Sequence, residues 1–523
     1  MADILNPATG APVAERQEHS GEDASRAAAR ALRAQPAWAA RSVRERATVI
    51  RQAQRWIVEY ADELSRLICD CTGKPRVDAV STEVLPGAIM CSYYARMAPR
   101  FLQPQRLRRS TLLFANKRST LYREPYGLVG IISPWNYPLG IPLHEVIIAL
   151  LCGNAVLLKV ATQVQPVGDA IGSMMSAAGL PDDLLHVLHL RGRIAGDALL
   201  DAGIGKLFFT GSTAVGRELA QKAGSRLVPV SLELGGKDPM IVLEDADVER
   251  AAACAVWAGL SNAGQSCAAV ERVYVHEQVY DLFMDALRPI VANLRVGYDR
   301  DFGVDMGPLT TAAQRETVES QLERSLADGG REAARSLPPR AEPAGSAERS
   351  LFHAAVVVEV DDDHAELMRS ETFGPLLAVR RVASADEALS LANDSPYGLT
   401  ASVWTRRPAT AAAMSRRLEA GAVTVNDHLL SHGMPETPWG GVKESGIGRS
   451  HGRFGFDEMI REKVVVEERF SWIRRNMWWQ PYSREVYDGL IGALRAGYGV
   501  GIRQRLAGLI RMSRLFIRRA RER

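Results

Sequence analysis

The feature that most limits what this chain can fold into is a recurring unit: a short, wholly apolar run, a turn, then a stretch with helical spacing. Leu128–Ser133, Ala155–Lys159, Lys206–Gly211 and Leu227–Leu232 are such runs, bounded by Gly, Pro or Asn. Apolar runs this short, without polar alternation, read as strands buried on both faces. Residues 24–70, rich in Ala, Arg, Leu and Glu, carry apolar positions at helical spacing instead. Helices alternating with buried strands predict an α/β protein built on parallel sheets. At 523 residues the chain exceeds one ordinary domain, and 46% hydrophobic with 24% charged residues is a globular composition.

Several function classes drop out early. The six cysteines, at 69, 71, 91, 152, 254 and 267, form no CxxC pair, so neither a disulfide scaffold nor a metal cluster is expected. The start, MADILNPATG, lacks the basic and apolar regions of a signal peptide, and a cytoplasmic setting is expected. The apolar region 125–158 is broken by four prolines, Asn136, His144, Glu145 and Asn154, which suits buried core better than a membrane span. Residues 329–350 read as a surface loop, and 106–124 as a projecting hairpin turning near Asn116–Lys117. A net charge of +3 predicts no nucleic-acid partner.

Six segments carry the chemistry: PWNYP (134–138), FTGSTAVG (209–216), LELGG (232–236), SNAGQSCAAVER (261–272), ETFGP (371–375) and PWGGVKESGIGR (438–449). Taken singly each has a bland reading. Cys267 alone is a buried inert thiol, Asn136 a turn residue, ETFGP a loop with a half-buried aromatic. Together and in this order, from NPATG at residue 6 to about residue 465, they resemble the aldehyde dehydrogenase superfamily.

That resemblance implies roles. Cys267 is the expected nucleophile, and the Asn136 amide with the Cys267 N–H the oxyanion hole. Glu233 is the expected general base, which points to hydrolysis to a free acid rather than transfer to coenzyme A. Trp135, Lys159, Thr162, Thr210, Gly211, Ser212, Glu371 and Phe373 are implied to hold NAD or NADP. NAD-preferring members usually carry Glu where this chain has Thr162, so dual use or NADP preference is expected. The aldehyde tunnel is assigned to Tyr137, Gly140, Ile141, His144, Ser261, Gly433 and Trp439. Its small residues predict a wide tunnel for medium- or long-chain aliphatic or aromatic aldehydes. For His144 a satisfied core histidine is the competing reading. A semialdehyde dehydrogenase acting on succinate semialdehyde is the alternative substrate class, with Arg96 or an arginine of 329–350 as carboxylate clamp. An inactive membrane-associated scaffold is the alternative of another class, and the presence of Cys267, Asn136 and Glu233 counts against it.

The implied architecture is a nucleotide-binding domain (1–103 and 125–233), a catalytic α/β domain (234–459) and oligomerisation strands (104–124 and 460–470), assembled as a homodimer or homotetramer. Beyond it lies an extension, 471–523. Its twelve arginines against three acids give +9, which leaves −6 on the first 470 residues. At 100° per residue Ile502, Leu506, Leu509, Ile510, Phe516 and Ile517 share one face, with Arg511, Arg514, Arg518 and Arg521 on another. With Trp472, Trp478 and Trp479 upstream, this basic amphipathic helix suits either peripheral membrane contact at the inner face or docking between subunits. Its glycines weaken the first half as an isolated helix.

Overall fold

The computed structural model describes residues 3–339, 351–470, 473 and 475–521. They form two compact units, 3–102 with 125–461, and 103–124 with 462–521.

The larger unit holds two α/β sheets. In the first, the strands lie in the order Gly446–Ile447, Val230–Glu233, Lys206–Thr210, Leu128–Ser133, Ala155–Val160 and Leu185–Val187. All pairs are parallel except the edge pair Gly446↔Glu233 and Ile447↔Leu232. The inner strands Leu128–Ser133 and Ala155–Val160 are buried at every position, as continuous apolar runs between helices must be. The helix Gly140–Leu151 behind them is buried along its whole length. The second sheet runs Arg331–Arg335, Val356–Glu359, Leu376–Val382, Val270–His276, Asp238–Val242, Thr400–Trp404 and Ala422–Val425. Only its edge strand Arg331–Arg335 is antiparallel. Each sheet has its own apolar core.

Three expectations need correction. The fourth run forms a strand only over Val230–Glu233, because Leu227 turns with φ +56° and lies 90% exposed. Residues 331–335, read as loop, form an edge strand, where one-sided pairing needs no apolar alternation; residues 340–350 of that segment lie outside the described ones.

The third correction concerns the smaller unit. Asn116–Lys117 is not a hairpin tip: Gln105–Arg106 pairs with Leu121–Thr120, and a 3₁₀ turn at Leu112–Phe114 lies in the connection. Asn116 is buried and its amide donates to Glu468 and Asn476. Its sheet has the order Ile460–Glu468, Lys117–Pro125, Gln105–Arg106. Beyond it the extension folds as two helices, Arg484–Tyr498 and Ile502–Arg521. The glycines expected to weaken the first helix have a packing role: a Cβ on Gly489 would meet Leu515 at 2.4 Å, and one on Gly508 would meet the Ala496 nitrogen at 2.6 Å. Close approach of the two helices compensates for the conformational freedom glycine loses. Trp472 lies outside the described residues.

Candidate active site

Cys267 lies in a turn between the 3₁₀ segment Ser261–Gly264 and the strand Val270–His276. It therefore gains no helix N-terminus to lower its pKa. Burial pushes its thiol up, and the charges of Asp238, Glu233 and Glu371 push the same way. The resting site thus favours the thiol, and a base has to remove its proton. Gly236 lets the Cys267 backbone in, since a Cβ there would stand 2.5 Å from the Cys267 carbonyl oxygen.

Cys267 lines two cavities at once. One is walled by Tyr137, Gly140, Ile141, Met90, Trp257, Leu429, Leu430, His432, Gly433 and Trp439, with Ser81, Thr82, Pro86, Ser266 and Ala268. It contains no Lys, Arg, Asp or Glu among its described lining residues. The other is walled by Trp135, Asn136, Thr210, Gly211, Ser212, Glu233, Gly235, Gln314, Glu371 and Phe373.

Asn136 is 2% exposed. Its amide Nδ2 donates to the Gln265 carbonyl at 3.1 Å, which uses one of its two N–H bonds, and the residue lines the second cavity. The Asn136 backbone is fixed from two sides: its carbonyl accepts from Lys74 Nζ at 2.7 Å and from Asn262 Nδ2 at 3.1 Å. Lys74 in turn pairs with Glu83 at 2.7 Å, both fully buried, and lies 4.3 Å from the Tyr137 ring centroid. Glu83 accepts from the N–H groups of Leu139 and Gly140, where the helix Gly140–Leu151 begins. One buried ion pair thus anchors both the asparagine and the helix entry beside it.

Glu233 ends the strand Val230–Glu233, and its Oε2 is buried with no hydrogen-bond partner among the described residues. Burial raises it well above the usual carboxylate range, the neighbouring Glu145 adds to this, and Arg449 opposes it. A carboxylate with a raised pKa and an unspent oxygen is equipped to accept a proton near neutrality.

Family comparison agrees with this geometry: the model of the aldehyde dehydrogenase family matches residues 1–465. The chain belongs to the aldehyde dehydrogenase family. Among its relatives, 4,4′-diapolycopene aldehyde oxidase from Methylomonas sp. is 36% identical over 463 residues, covering 88% of this chain and 84% of that one. A putative succinate-semialdehyde dehydrogenase [NADP(+)] from Mycolicibacterium smegmatis is 37% identical over 452 residues, covering 86% and 85%. The crystal structure of a putative aldehyde dehydrogenase from Burkholderia cenocepacia superposes with a TM-score of 0.84 at 34% identity, covering 90% of this chain and 96% of that one. The protein is an NAD(P)-dependent oxidoreductase acting on the aldehyde group.

The residues of this aldehyde dehydrogenase suit a dinucleotide. Gly211 and Ser212 follow the strand Lys206–Thr210, and Ser212 stands at the N-terminus of the helix Thr213–Ser225 without a side-chain capping bond, so free backbone N–H groups there favour phosphate. Lys159 is 6% exposed, has no acidic partner among the described residues, and is brought down to about 8 by burial. A buried cation of this kind fits hydroxyl or phosphate oxygens. The Trp135 and Phe373 rings meet edge-on at 5.6 Å beside the cavity. Glu371 accepts from the Gly236 N–H at 3.0 Å, and burial with the charge of Glu271 raises it to about 7. Phe373 adopts φ +52°, a conformation that costs energy. Glu271 holds it there by accepting the N–H groups of Thr372 and Phe373 at 2.8 and 2.9 Å, and itself pairs with Lys237. Thr162 lines a different, polar depression with Gln163 and Arg16.

Two tunnel assignments fail. Ser261 turns its hydroxyl to the Trp257 carbonyl and does not line the cavity. His144 is 3% exposed, close to the Tyr94 hydroxyl at 3.2 Å, and its Nε2 accepts the His451 N–H at 3.2 Å. It is the satisfied core histidine. The carboxylate clamp that the semialdehyde alternative would need is absent from the described lining: Arg96 packs over Tyr93, and Arg331 and Arg335 pair with Asp361 and Glu332. Arg340 and Arg349 lie outside the described residues. Leu429, Leu430 and His432 also stand in the wall of this cavity, and no local pattern pointed to them. Lys74, Glu83, Asn262 and Glu271 also shape the site; only Glu271, a charge within the apolar run AAVERVYV, carried a local signal.

Proposed function

We propose that this enzyme oxidises medium- or long-chain aliphatic or aromatic aldehydes to carboxylic acids. What supports the reading is the position of Cys267, between an uncharged apolar cavity and a polar one that carries Asn136 and Glu233. The Cys267 thiol gives its proton to solvent entering the polar cavity, and its sulfur bonds to the aldehyde carbon. The resulting oxyanion is held by the second Asn136 N–H and the Cys267 N–H, each donor contributing about 3–4 kcal/mol in comparable sites. NAD(P)+ supplies the hydride acceptor when bound. The oxyanion collapses to a thioester on Cys267, and Glu233 then takes a proton from the water that attacks it. The acid leaves and the sulfur regains its proton.

The uncharged lining supports an apolar substrate over succinate semialdehyde, whose carboxylate would be buried without a partner. The relative named for 4,4′-diapolycopene aldehyde fits this direction; the one named for succinate semialdehyde supports the second reading. Following NAD(P)H absorbance over a panel of aldehydes decides. Each CH₂ buried contributes about 0.8 kcal/mol, or roughly fourfold in kcat/KM, so decanal should far exceed butanal. A preference for succinate semialdehyde would overturn the reading. Thr162 in place of an acid supports use of NADP as well as NAD. We further infer a cytoplasmic homodimer or homotetramer, supported by cysteines that are all free and by the edge strand Ile460–Glu468, on which Val464 and Val466 are more than half exposed.

A further inference from the structure

The helix Ile502–Arg521 divides into three faces. On a wheel of 100° per residue, Gly508, Met512, Leu515 and Arg519 form the face turned inward: Gly508, Leu515 and Arg519 are buried. Arg519 donates to the carbonyls of Trp479 and Pro481. A second face, centred on Ile502, Leu506, Leu509, Ile510 and Ile517, faces outward, and Ile502, Leu506, Ile510 and Ile517 are each more than half exposed. The third face, directly beside it, carries Arg503, Arg511, Arg514, Arg518 and Arg521, all exposed. Arg518 pairs with Glu485, whereas Arg503, Arg511, Arg514 and Arg521 have no acidic partner among the described residues. Tyr498 and Val500, at the junction of the two helices, are 74% and 92% exposed.

An apolar face left in solvent beside a row of unpaired arginines needs a partner that is apolar within and anionic at its surface. We propose that this helix pair is an interfacial anchor that lies on an anionic phospholipid bilayer. The apolar face enters the acyl boundary and the arginines meet headgroup phosphates, the arrangement amphipathic interfacial helices adopt. No helix among the described residues is long and apolar enough to cross a membrane, so the contact is one of lying on the surface. Charge argues against the same face of a second copy as occupant. Residues 484–521 carry nine arginines against Glu485 and Asp488, so face-to-face pairing would oppose +7 with +7. The anchor does not depend on which aldehyde the enzyme oxidises.

The test is flotation of the full-length enzyme with vesicles of phosphatidylcholine alone or with about one-third phosphatidylglycerol, at low and high salt. Flotation is expected only with the anionic vesicles and is expected to weaken with salt. Each arginine near such a surface changes binding roughly fivefold. The triple variant Arg503→Glu, Arg511→Glu, Arg514→Glu should therefore bind at least about 100-fold more weakly, with aldehyde oxidation in solution unchanged. Leu506→Asp with Ile510→Asp should also abolish flotation. Absence of flotation by the native chain, or flotation that survives both variants, would overturn the proposal. So would a change confined to sedimentation size, which would make the face a protein-docking surface.

Discussion

Substituting Lys74 by Met tests whether the asparagine of the oxyanion hole is held by a buried charge pair. The ammonium group donates 2.7 Å hydrogen bonds to both Glu83 and the Asn136 carbonyl, and neither partner of the ion pair reaches solvent. Removing it leaves the Glu83 side chain buried with only the N–H groups of Leu139 and Gly140 as donors among the described residues. Breaking such a pair costs about 3–5 kcal/mol, which thermal unfolding would read as a fall of several degrees in Tm. Neutralising the remaining partner by adding Glu83→Gln should recover a large part of that loss. The catalytic effect is separable. Asn136 keeps its Asn262 contact but loses the stronger anchor, so kcat/KM should fall by roughly 10- to 100-fold, less than the roughly 100- to 1,000-fold of an oxyanion donor removed outright. Alkylation of Cys267 by iodoacetamide should proceed at an unchanged rate. Steady-state kinetics, thermal unfolding and alkylation of the three proteins together decide. A double variant no more stable than Lys74→Met, or unchanged kcat/KM in the single variant, would refute the reasoning.

Three further outcomes are expected. Thr162→Glu should lower kcat/KM for NADP at least about tenfold while leaving NAD nearly unchanged, because a carboxylate there repels a 2′-phosphate; equal losses with both cofactors would count against the assignment. Deacylation-limited kcat should rise with pH as Glu233 loses its proton above the usual carboxylate range, and a limb within the ordinary carboxylate range would contradict this. Glu145 is raised by burial from 4.5 to about 8, so the folded state holds its proton where the unfolded state has lost it. The stability it contributes is complete below pH 4.5 and is lost as the pH rises towards 8. Glu145→Gln should then raise Tm at pH 8 more than at pH 5, and identical shifts at both would contradict the sign.

The candidate catalytic residues stood out in the sequence because the chemistry constrains a few side chains within short motifs: Cys267, Asn136 and Glu233 each sit among small or rigid residues. The parallel strands were legible for a similar reason, since burial on both faces leaves an uninterrupted apolar run. The tunnel was not. Its wall is assembled from Met90 on one helix, Trp257 on another and the 429–433 loop, where Leu429 turns with φ +68°. No local pattern encodes contacts between elements so far apart. Ser261 and His144 show the converse: both occupy plausible positions, but a carbonyl one turn back and the Tyr94 hydroxyl hold their polar atoms away from the substrate. The extension was legible in charge and face, and its glycines only once two helices were seen packed together.

Trapping the acyl-enzyme tests the central claim most directly. Glu233→Gln removes the base for hydrolysis while leaving Cys267 and Asn136 in place. Incubated with decanal and NAD(P)+ and examined by peptide mass spectrometry, this variant should accumulate a decanoyl group on the peptide containing Cys267, with at most one equivalent of NAD(P)H released rapidly. Steady turnover at the native rate, or an acyl group absent from Cys267 while reduced cofactor still forms, would contradict the account.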